Sequence, residues 1–260
     1  MRLSINSPLL RPILLVVVLV VVWDLMIRIF AIPAYLIPTP VDVAVQMYEQ
    51  WPMLLSETIP TLQATVGGFL LSVIVGVPLA MLIAYSKTVE SYLYPLLVFS
   101  QSIPKVAIAP LFVVWFGFGI FPKIIVAFLL GFFPVVVSTV MGFKSLEADL
   151  IDLAKSMGST RLKMFYKISL PNALPAIFSS MKVSITLCVV GAVVGEFVGS
   201  NSGIGYVLQR ANGNFDLPLM FSALIILSLM GVVLFVIIDL IEKLMLPWHI
   251  SNRINAANAH

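Results

Sequence analysis

The sequence predicts an all-α membrane protein with six transmembrane helices. Hydrophobic residues make up 60% of its 260 residues, charged residues make up 10%, and the mean hydropathy is +1.09. Soluble domains contain about 25% charged residues, so this composition excludes an ordinary soluble protein. The apolar residues also form runs long enough to cross a bilayer, which takes ~20 residues per helix. We therefore expect one membrane domain over residues 1–260, with short loops.

The first predicted span covers residues 12–31 and ends in an ion pair. Asp24 and Arg28 stand one helical turn apart near its far end, where they can neutralise each other. The segment 35–57 that follows contains prolines and acidic residues but no Lys or Arg. We expect it to lie outside the membrane and to hold one short amphipathic helix over 41–51.

The second predicted span covers 58–86, which contains no charged residue. This length is enough for one tilted helix but not for two. Small residues give it a face suited to close helix contact, and these are Gly67, Gly68, Ser72 and Gly76.

The third predicted span is irregular. Uncharged residues run over 91–104, are interrupted by Lys105, and then resume as far as Pro122. Polar residues and a proline gather at the interruption, namely Ser100, Gln101, Ser102 and Pro104. A proline inside a span leaves backbone carbonyl groups unpaired, which is tolerated where the helix faces protein or a water-filled path. We therefore predict that Ser100, Gln101, Ser102 and Lys105 line the substrate path.

Three further spans are predicted in the second half of the chain. They cover residues 120–143, with Pro134 inside, 172–199, and 217–238. The connection over 199–217 is rich in Gly and Asn, and we expect a polar loop there.

A long polar stretch, residues 145–171, separates the fourth and fifth spans. It has one apolar stripe at helical spacing, formed by Leu146, Leu150, Leu153 and Met157. Ser145 can cap the first helix, and Gly158 can end it. Ser159 or Thr160 can then cap a second amphipathic helix, which we expect to end before Pro171. The stretch is predicted to form a helix pair.

The distribution of basic residues predicts the orientation in the membrane. Ten Lys and Arg residues lie at the termini or in segments on the same side: Arg2, Arg11, Lys87, Lys144, Lys155, Arg161, Lys163, Lys167, Lys243 and Arg253. The opposite loops hold only Arg210. By the positive-inside rule, both termini and the helix pair are cytoplasmic.

The helix pair resembles the cytoplasmic signature of ABC-importer permeases. That signature is Glu-Ala-Ala, a Gly four residues later, nine further residues, and Ile-x-Leu-Pro. This chain has Asp152-Leu153-Ala154, Gly158 and Ile168-Ser169-Leu170-Pro171 at the same spacing. Residues 104–143 look like the branch that imports sulfonates, taurine, nitrate and vitamin or pyrimidine-type precursors. The resemblance covers about residues 59–245.

The resemblance implies a type I ABC-importer permease fold, with a coupling loop over 144–171 between the fourth and fifth helices. It implies a dimer of this chain, two ATP-binding subunits and an external substrate-binding protein, in the bacterial cytoplasmic (inner) membrane. The chain has no G-x-x-x-x-G-K-[ST] motif, so we expect no enzyme activity and place ATP and Mg on the partner. The predicted ATPase-coupling residues are Asp152, Leu153, Ala154, Met157, Gly158, Ser159, Thr160 and Arg161. Membrane lipid is the other expected partner, and nothing points to nucleic acid.

Charged residues in or beside the predicted spans require an explanation, since a charge within a span costs about 3 kcal/mol. For Asp24, Asp239 and Lys182 we favour a structural role, either snorkelling to the interface or local pairing, over a function. Lys105 can attract an anionic substrate or make a structural pair. Glu196 is also predicted to lie on the substrate path; it can gate the outer mouth or pair across a dimer, and the sequence does not separate these roles.

Three other interpretations compete with the importer. The helix pair can instead lie on the bilayer surface as an amphipathic anchor. An ion-coupled carrier would want carboxylates in the middle of its spans and often an inverted repeat, which are not apparent. A membrane-embedded enzyme would need a nucleophile with a base, and no span pairs them. His249 and His260 have no partner ligands, so we expect no metal site.

Overall fold

The computed structural model describes residues 10–33 and 35–248, which are almost entirely helical and contain no β-strand. The elements in chain order are α1 (Leu10–Ile29), α2 (Pro40–Glu49), α3 (Trp51–Tyr85), α4 (Lys87–Gln101), α5 (Lys105–Phe116), α6 (Ile120–Lys144), α7 (Ala148–Ser156), α8 (Arg161–Met164), a π-helical turn (Phe165–Ser169), α9 (Leu170–Gly199), α10 (Ile204–Gly213) and α11 (Leu217–Met245). Arg2, His249, Arg253 and His260 lie outside the described residues, so the predictions that rest on them stay predictions.

Within the described residues, four helices are long and apolar enough to cross a membrane. They are α3, α6, α11 and the continuous helix Arg161–Gly199. The bent pair α4 and α5 makes a fifth when it is taken as one span. Among the described side chains of the 20-residue α1, Ile27 is buried and Trp23 stacks on Phe221 of α11 at 5.6 Å between ring centroids, both near the far end of the helix.

The core of the bundle is formed by α3, α6 and α9, which approach each other at backbone distance. A side-chain carbon added at Gly68 would lie 2.8 Å from the backbone nitrogen of Phe128 on α6. One added at Gly191 on α9 would lie 2.9 Å from the backbone nitrogen of Ala127. Small residues permit this approach where larger ones would hold the helices apart. The small-residue face predicted for the second span is confirmed, since Gly67, Gly68, Ser72 and Gly76 all contact α6.

The second span begins earlier than its predicted start at residue 58. α3 begins at Trp51, and Pro52 is tolerated there because the first turn of a helix needs no backbone donor. Its acidic residue Glu57 lies inside the helix, where the carboxylate accepts a hydrogen bond from the backbone N–H of Gly203 at 2.5 Å. The short helix predicted before it is confirmed as α2, which a Thr39–Asp42 capping box begins.

The irregularity predicted in the third span is confirmed as a sharp bend. α4 ends at Gln101, α5 begins at Lys105, and their axes differ by 95°. Pro104 stands just before the first residue of α5, where its missing N–H costs nothing. We call residues 102–104, which join the two helices, the elbow.

Two boundaries in the second half differ from the prediction. The expected polar loop over 199–217 contains the helix α10, whose Ile204, Val207 and Leu208 are buried against the bundle. α11 continues to Met245, past the predicted end at 238, because Lys182 on α9 pairs with the acidic side chains in its last turns.

Candidate functional site

The first candidate site is the helix pair, α7 and α8. α7 ends in two backbone bonds, from Ser159 N–H to Ala154 O at 3.1 Å and from Gly158 N–H to Lys155 O at 2.9 Å. This pattern requires a left-handed residue after the helix, and Gly158 supplies it with φ +74°. Thr160 then begins α8 by accepting a hydrogen bond from the Lys163 N–H. The predicted helix, Gly turn and second cap are confirmed.

Two details of the predicted helix pair are wrong. Ser145 does not cap α7, because it adopts a helical conformation and its Oγ donates to Gly142 O at 2.9 Å at the end of α6. The second helix does not end before Pro171. It continues through the π-helical turn into α9, because Pro171 falls in the first turn of α9, where no N–H is needed.

The apolar stripe of α7 is open to its surroundings. Leu153 is 57% exposed and Met157 is 77% exposed, whereas an apolar residue of that size gains about 1.5–3 kcal/mol from full burial. Of the predicted coupling residues, Asp152, Leu153, Met157, Gly158, Thr160 and Arg161 are exposed, Ser159 is half-buried and Ala154 is buried. The stripe therefore has no partner within the described part of the chain that would bury it.

The helix pair is attached to the bundle through aromatic and polar contacts. Phe165 packs against Tyr85 at the end of α3 and Phe143 near the end of α6, at 6.0 and 6.1 Å between ring centroids. Asn172 Nδ2 donates to Ser145 Oγ at 3.0 Å, which joins α9 to the end of α6. These contacts connect the chain next to the helix pair with α3, α6 and α9.

The predicted substrate-path residues divide into two places. Ser100, Gln101 and Lys105 line one cavity beside the elbow, and Ser102 does not line it. Lys105 Nζ donates to Gln101 Oε1 at 2.8 Å. Glu196 lies elsewhere, fully buried near the end of α9.

Glu196 is the centre of a buried polar network. Its carboxylate accepts hydrogen bonds from Thr61 Oγ1 at 2.9 Å and from the Gly205 N–H at 2.7 Å. Lys123 Nζ stands 3.7 Å from the same carboxylate and donates to Ser202 O at 3.0 Å. Glu196 is 0% exposed and Lys123 is 4% exposed, so the pair lies away from solvent. A buried charge is tolerated only when it is paired and hydrogen-bonded, and both conditions are met here.

The network fixes the connection between α9 and α10. Ile204 N–H donates to Thr61 Oγ1 at 2.9 Å, and Gly203 N–H donates to Glu57 Oε2. Gly203 has φ +108°, and a side chain there would run into the Glu196 carboxylate. The glycine is needed both for its backbone angle and for the space that it leaves. We call Glu57, Thr61, Lys123 and Glu196, with the backbone of 202–205, the Glu196 network.

Sequence reasoning missed the partners of Glu196. Lys123 lies within the predicted fourth span, and a basic residue there was itself a signal that an acidic partner exists. Thr61 and Glu57 offered no such signal, because a hydroxyl or a carboxylate near a span end is common. Glu196 pairs within its own chain.

The local pairing that we predicted is found for Asp24 and, through Lys243, for Asp239. Lys182 of α9 pairs instead with residues of α11. Asp24 accepts from Arg28 at 2.7 Å. Lys182 contacts both Asp239 and Glu242 at 2.5 Å.

Comparison with known proteins identifies the relatives of this chain. Residues 76–247 match the family described as binding-protein-dependent transport system inner membrane component. The formylaminopyrimidine transport permease protein ThiX of Halalkalibacterium halodurans is 38% identical over 240 residues, which cover 92% of this chain and 96% of the relative. The putative aliphatic sulfonates transport permease protein SsuC of Bacillus subtilis is 31% identical over 245 residues, covering 93% and 88%.

A solved structure has the same fold. An inward-facing conformation of the MetNI methionine ABC transporter contains a chain that superposes with a TM-score of 0.64 at 19% sequence identity. The match covers 74% of this chain and 95% of that chain.

Proposed function

Because this chain belongs to the family of binding-protein-dependent transport system inner membrane components, we propose that it is the permease subunit of an ATP-driven importer. Two copies would form the substrate path, and two ATP-binding subunits would hold ATP and Mg and supply the energy. An external binding protein would deliver the substrate. Relatives of this chain are transport permeases, which agrees with a role in transport and not in catalysis.

The observation that supports the proposal most directly is the exposed apolar stripe of α7. Leu153 and Met157 lie on a short helix that is connected to α9 by a tight glycine turn and a continuous helix. An exposed apolar stripe on a helix is a contact surface for another protein or for the bilayer, and membership of the transport family favours a protein partner. We assign it to the ATP-binding subunit, with Asp152, Gly158, Ser159, Thr160 and Arg161 around it. Ala154 would support the contact from inside the chain.

The proposed topology has six spans. They are α1, α3, the bent pair α4 and α5, α6, the helix that ends in α9, and α11. Both termini and the helix pair then lie on the cytoplasmic side of a bacterial inner membrane, where the basic residues gather. The Glu196 network lies near the outer side.

The proposed substrate is small. It is an organic or inorganic anion such as a sulfonate, taurine or nitrate, or a vitamin or pyrimidine-type precursor. The relatives named for formylaminopyrimidine and for aliphatic sulfonates support these two classes.

Site-directed labelling of the helix pair tests the assignment. The native thiol of Cys188 is fully buried, so a Leu153→Cys variant presents one accessible thiol to a water-soluble maleimide. We expect rapid labelling of the purified chain and strong protection when the ATP-binding subunit is added. A Tyr48→Cys variant, at a position that is 86% exposed on α2, provides a control that the subunit should not protect.

Two results would contradict the proposal. One is labelling of Leu153→Cys that the ATP-binding subunit does not change. The other is protection by lipid vesicles alone, which would indicate an amphipathic anchor on the bilayer.

A further inference from the structure

A cavity of about 610 Å³ lies between the end of α3 and the start of α8. Its α3 wall is formed by Pro78, Met81, Leu82, Tyr85 and Ser86, and its opposite wall by Arg161, Leu162 and Phe165. Leu153 and Met157 of α7 do not line it, so the cavity is separate from the exposed stripe that we assign to the ATP-binding subunit. Ligand sites in proteins measure about 300–1,000 Å³, and this cavity falls within that range.

The polarity of the α3 wall changes along the helix axis. Pro78, Met81 and Leu82 are apolar, whereas Tyr85 and Ser86, at the end of the helix, carry hydroxyl groups. At a rise of 1.5 Å per residue, Pro78 and Ser86 are about 12 Å apart along the axis. Tyrosine is common at the level of lipid headgroups, where a span leaves the membrane. The wall therefore passes from hydrocarbon depth to headgroup level, which is the order of groups in a phospholipid.

The polar end of the cavity contains one charge, the Arg161 guanidinium, and there is no acidic residue among the described residues that line it. The guanidinium makes no hydrogen bond or ion pair with the described part of the chain. Ser86 Oγ accepts from the Val89 N–H at 3.3 Å and keeps its own hydrogen for a ligand. A guanidinium beside a hydroxyl donor suits phosphate oxygens, whereas the ammonium group of a zwitterionic head would find no carboxylate here. These groups favour a lipid head with a net negative charge.

The two walls are joined at the aromatic rings of Tyr85 and Phe165. These rings lie 6.0 Å apart between centroids, and both pack against Phe143 of α6, at 5.8 and 6.1 Å. Leu82 and Leu162, one on each wall, are 60% and 68% exposed. The described part of the chain thus leaves most of both leucine side chains uncovered, and an acyl chain entering from the bilayer can cover them.

We infer that this cavity binds one anionic phospholipid. Its phosphate would lie against Arg161 and Ser86, and an acyl chain would follow Leu82 and Pro78 into the membrane. Basic pockets between membrane helices bind anionic lipid heads in this way. The inference goes beyond the importer function and requires only that α3 crosses a bilayer. Arg161 also stands beside the contact assigned to the ATP-binding subunit, so that subunit enters the test.

The test titrates the full chain, purified in a non-ionic detergent, with short-chain phosphatidylglycerol. Matched phosphatidylcholine and soluble glycerol 3-phosphate are the comparison ligands, and native mass spectrometry counts the molecules that are bound. We expect a single phosphatidylglycerol to bind about fivefold more tightly than phosphatidylcholine, with no binding of glycerol 3-phosphate in the same concentration range. Arg161→Gln should weaken phosphatidylglycerol binding by about fivefold, the size expected for one basic residue that faces an anionic headgroup.

Two further variants separate the site from general effects. Lys163→Gln removes the same charge from an exposed position of α8 outside the cavity, and because solvent screens that charge it should change the affinity by less than about twofold. Leu82→Trp places a large ring at an exposed position of the apolar wall, where it can occupy the cavity without crowding the core. It should weaken binding at least as much as Arg161→Gln does. Thermal unfolding without lipid is recorded for each variant and should match that of the unmodified chain.

Several results would overturn the lipid site. Equal losses from Arg161→Gln and Lys163→Gln would show a diffuse attraction to anionic lipid. Equal affinity for phosphatidylglycerol and phosphatidylcholine would show an apolar groove that does not recognise the head, and equally tight binding of glycerol 3-phosphate would show an anion site that needs no acyl chain. Displacement of bound phosphatidylglycerol by the ATP-binding subunit would assign the cavity to the contact with that subunit. The importer function survives each of these results, since the labelling of Leu153→Cys tests it separately.

Discussion

The side chains near the two ends of α9 have opposite environments. At the α10 end, Glu196 is fully buried and its carboxylate is met by Thr61, Lys123 and a backbone N–H. At the α7 end, Leu153 and Met157 are apolar and more than half exposed. One end therefore carries charges that are enclosed by the chain, and the other carries apolar groups that the chain leaves uncovered.

This difference indicates which end can move relative to its neighbours. The Glu196 network joins α3, α6, α9 and the start of α10. Separating these elements would leave the Glu196 carboxylate without the partners that make its burial tolerable. In the helix pair, by contrast, most of the described side chains are exposed, and its glycine turn is held by two backbone bonds. Regions with few buried contacts open at low free energy, whereas core regions open only with the whole fold. We therefore expect a fixed α10 end and a helix pair whose position a partner sets.

The largest loss of stability is expected from breaking the buried ion pair between Lys123 and Glu196. Lys123→Met leaves the Glu196 carboxylate without its counter-charge and should lower the free energy of unfolding by roughly 3–5 kcal/mol. Adding Glu196→Gln removes the unpaired charge while keeping an oxygen that accepts from Thr61 and Gly205. The double variant should recover more than half of the loss. Denaturant titration in detergent micelles measures the free energy of unfolding of the single and the double variant. Equal losses in the two would show that the unpaired Glu196 charge is not what destabilises the α10 end.

The local features of the fold could be predicted from the sequence. The elbow was visible because Pro104 and three polar residues interrupt an apolar run, and the glycine turn because Gly158 follows an amphipathic helix. Both signals lie within a few residues of the structure they produce. The family was recognisable for the same reason, since the spacing from Gly158 to Leu170-Pro171 is a local pattern, and the comparisons confirm it.

The features that the sequence did not predict depend on distant residues. Lys123 and Glu196 lie on different spans, and only the packing of α6 against α9 brings them together. α11 extends past its predicted end because Lys182 on α9 neutralises Asp239. α10 is different: its buried residues repeat at helical spacing, but the Gly and Asn residues around them concealed the pattern.

The next largest effect is expected on ATP-dependent uptake, from a substitution at Gly158 in the glycine turn. Gly158 has φ +74°, and although a side chain there would meet open space, a β-branched residue is strained in this conformation by about 1–2 kcal/mol. Gly158→Val should therefore displace the turn and lower ATP-dependent uptake by roughly tenfold, with the unfolding of the bundle unchanged. Gly158→Asn is the control, because Asn tolerates left-handed angles. Uptake and ATP hydrolysis are measured together, and full transport by Gly158→Val would count against coupling through this turn.

The smallest loss of stability is expected from removing the exposed ion pair between Lys155 and Asp152. Lys155 Nζ lies 2.9 Å from Asp152 Oδ1, closer than Lys123 lies to Glu196, but the two side chains are 61% and 74% exposed. If distance decided the strength of an ion pair, Lys155→Met would be the more damaging substitution. Solvent screening and side-chain entropy reduce exposed pairs to about 0.2–1 kcal/mol, so we expect a loss near the lower end of that range. Denaturant titration of Lys155→Met beside Lys123→Met compares the same substitution at the two ends, and equal losses would show that burial does not distinguish them.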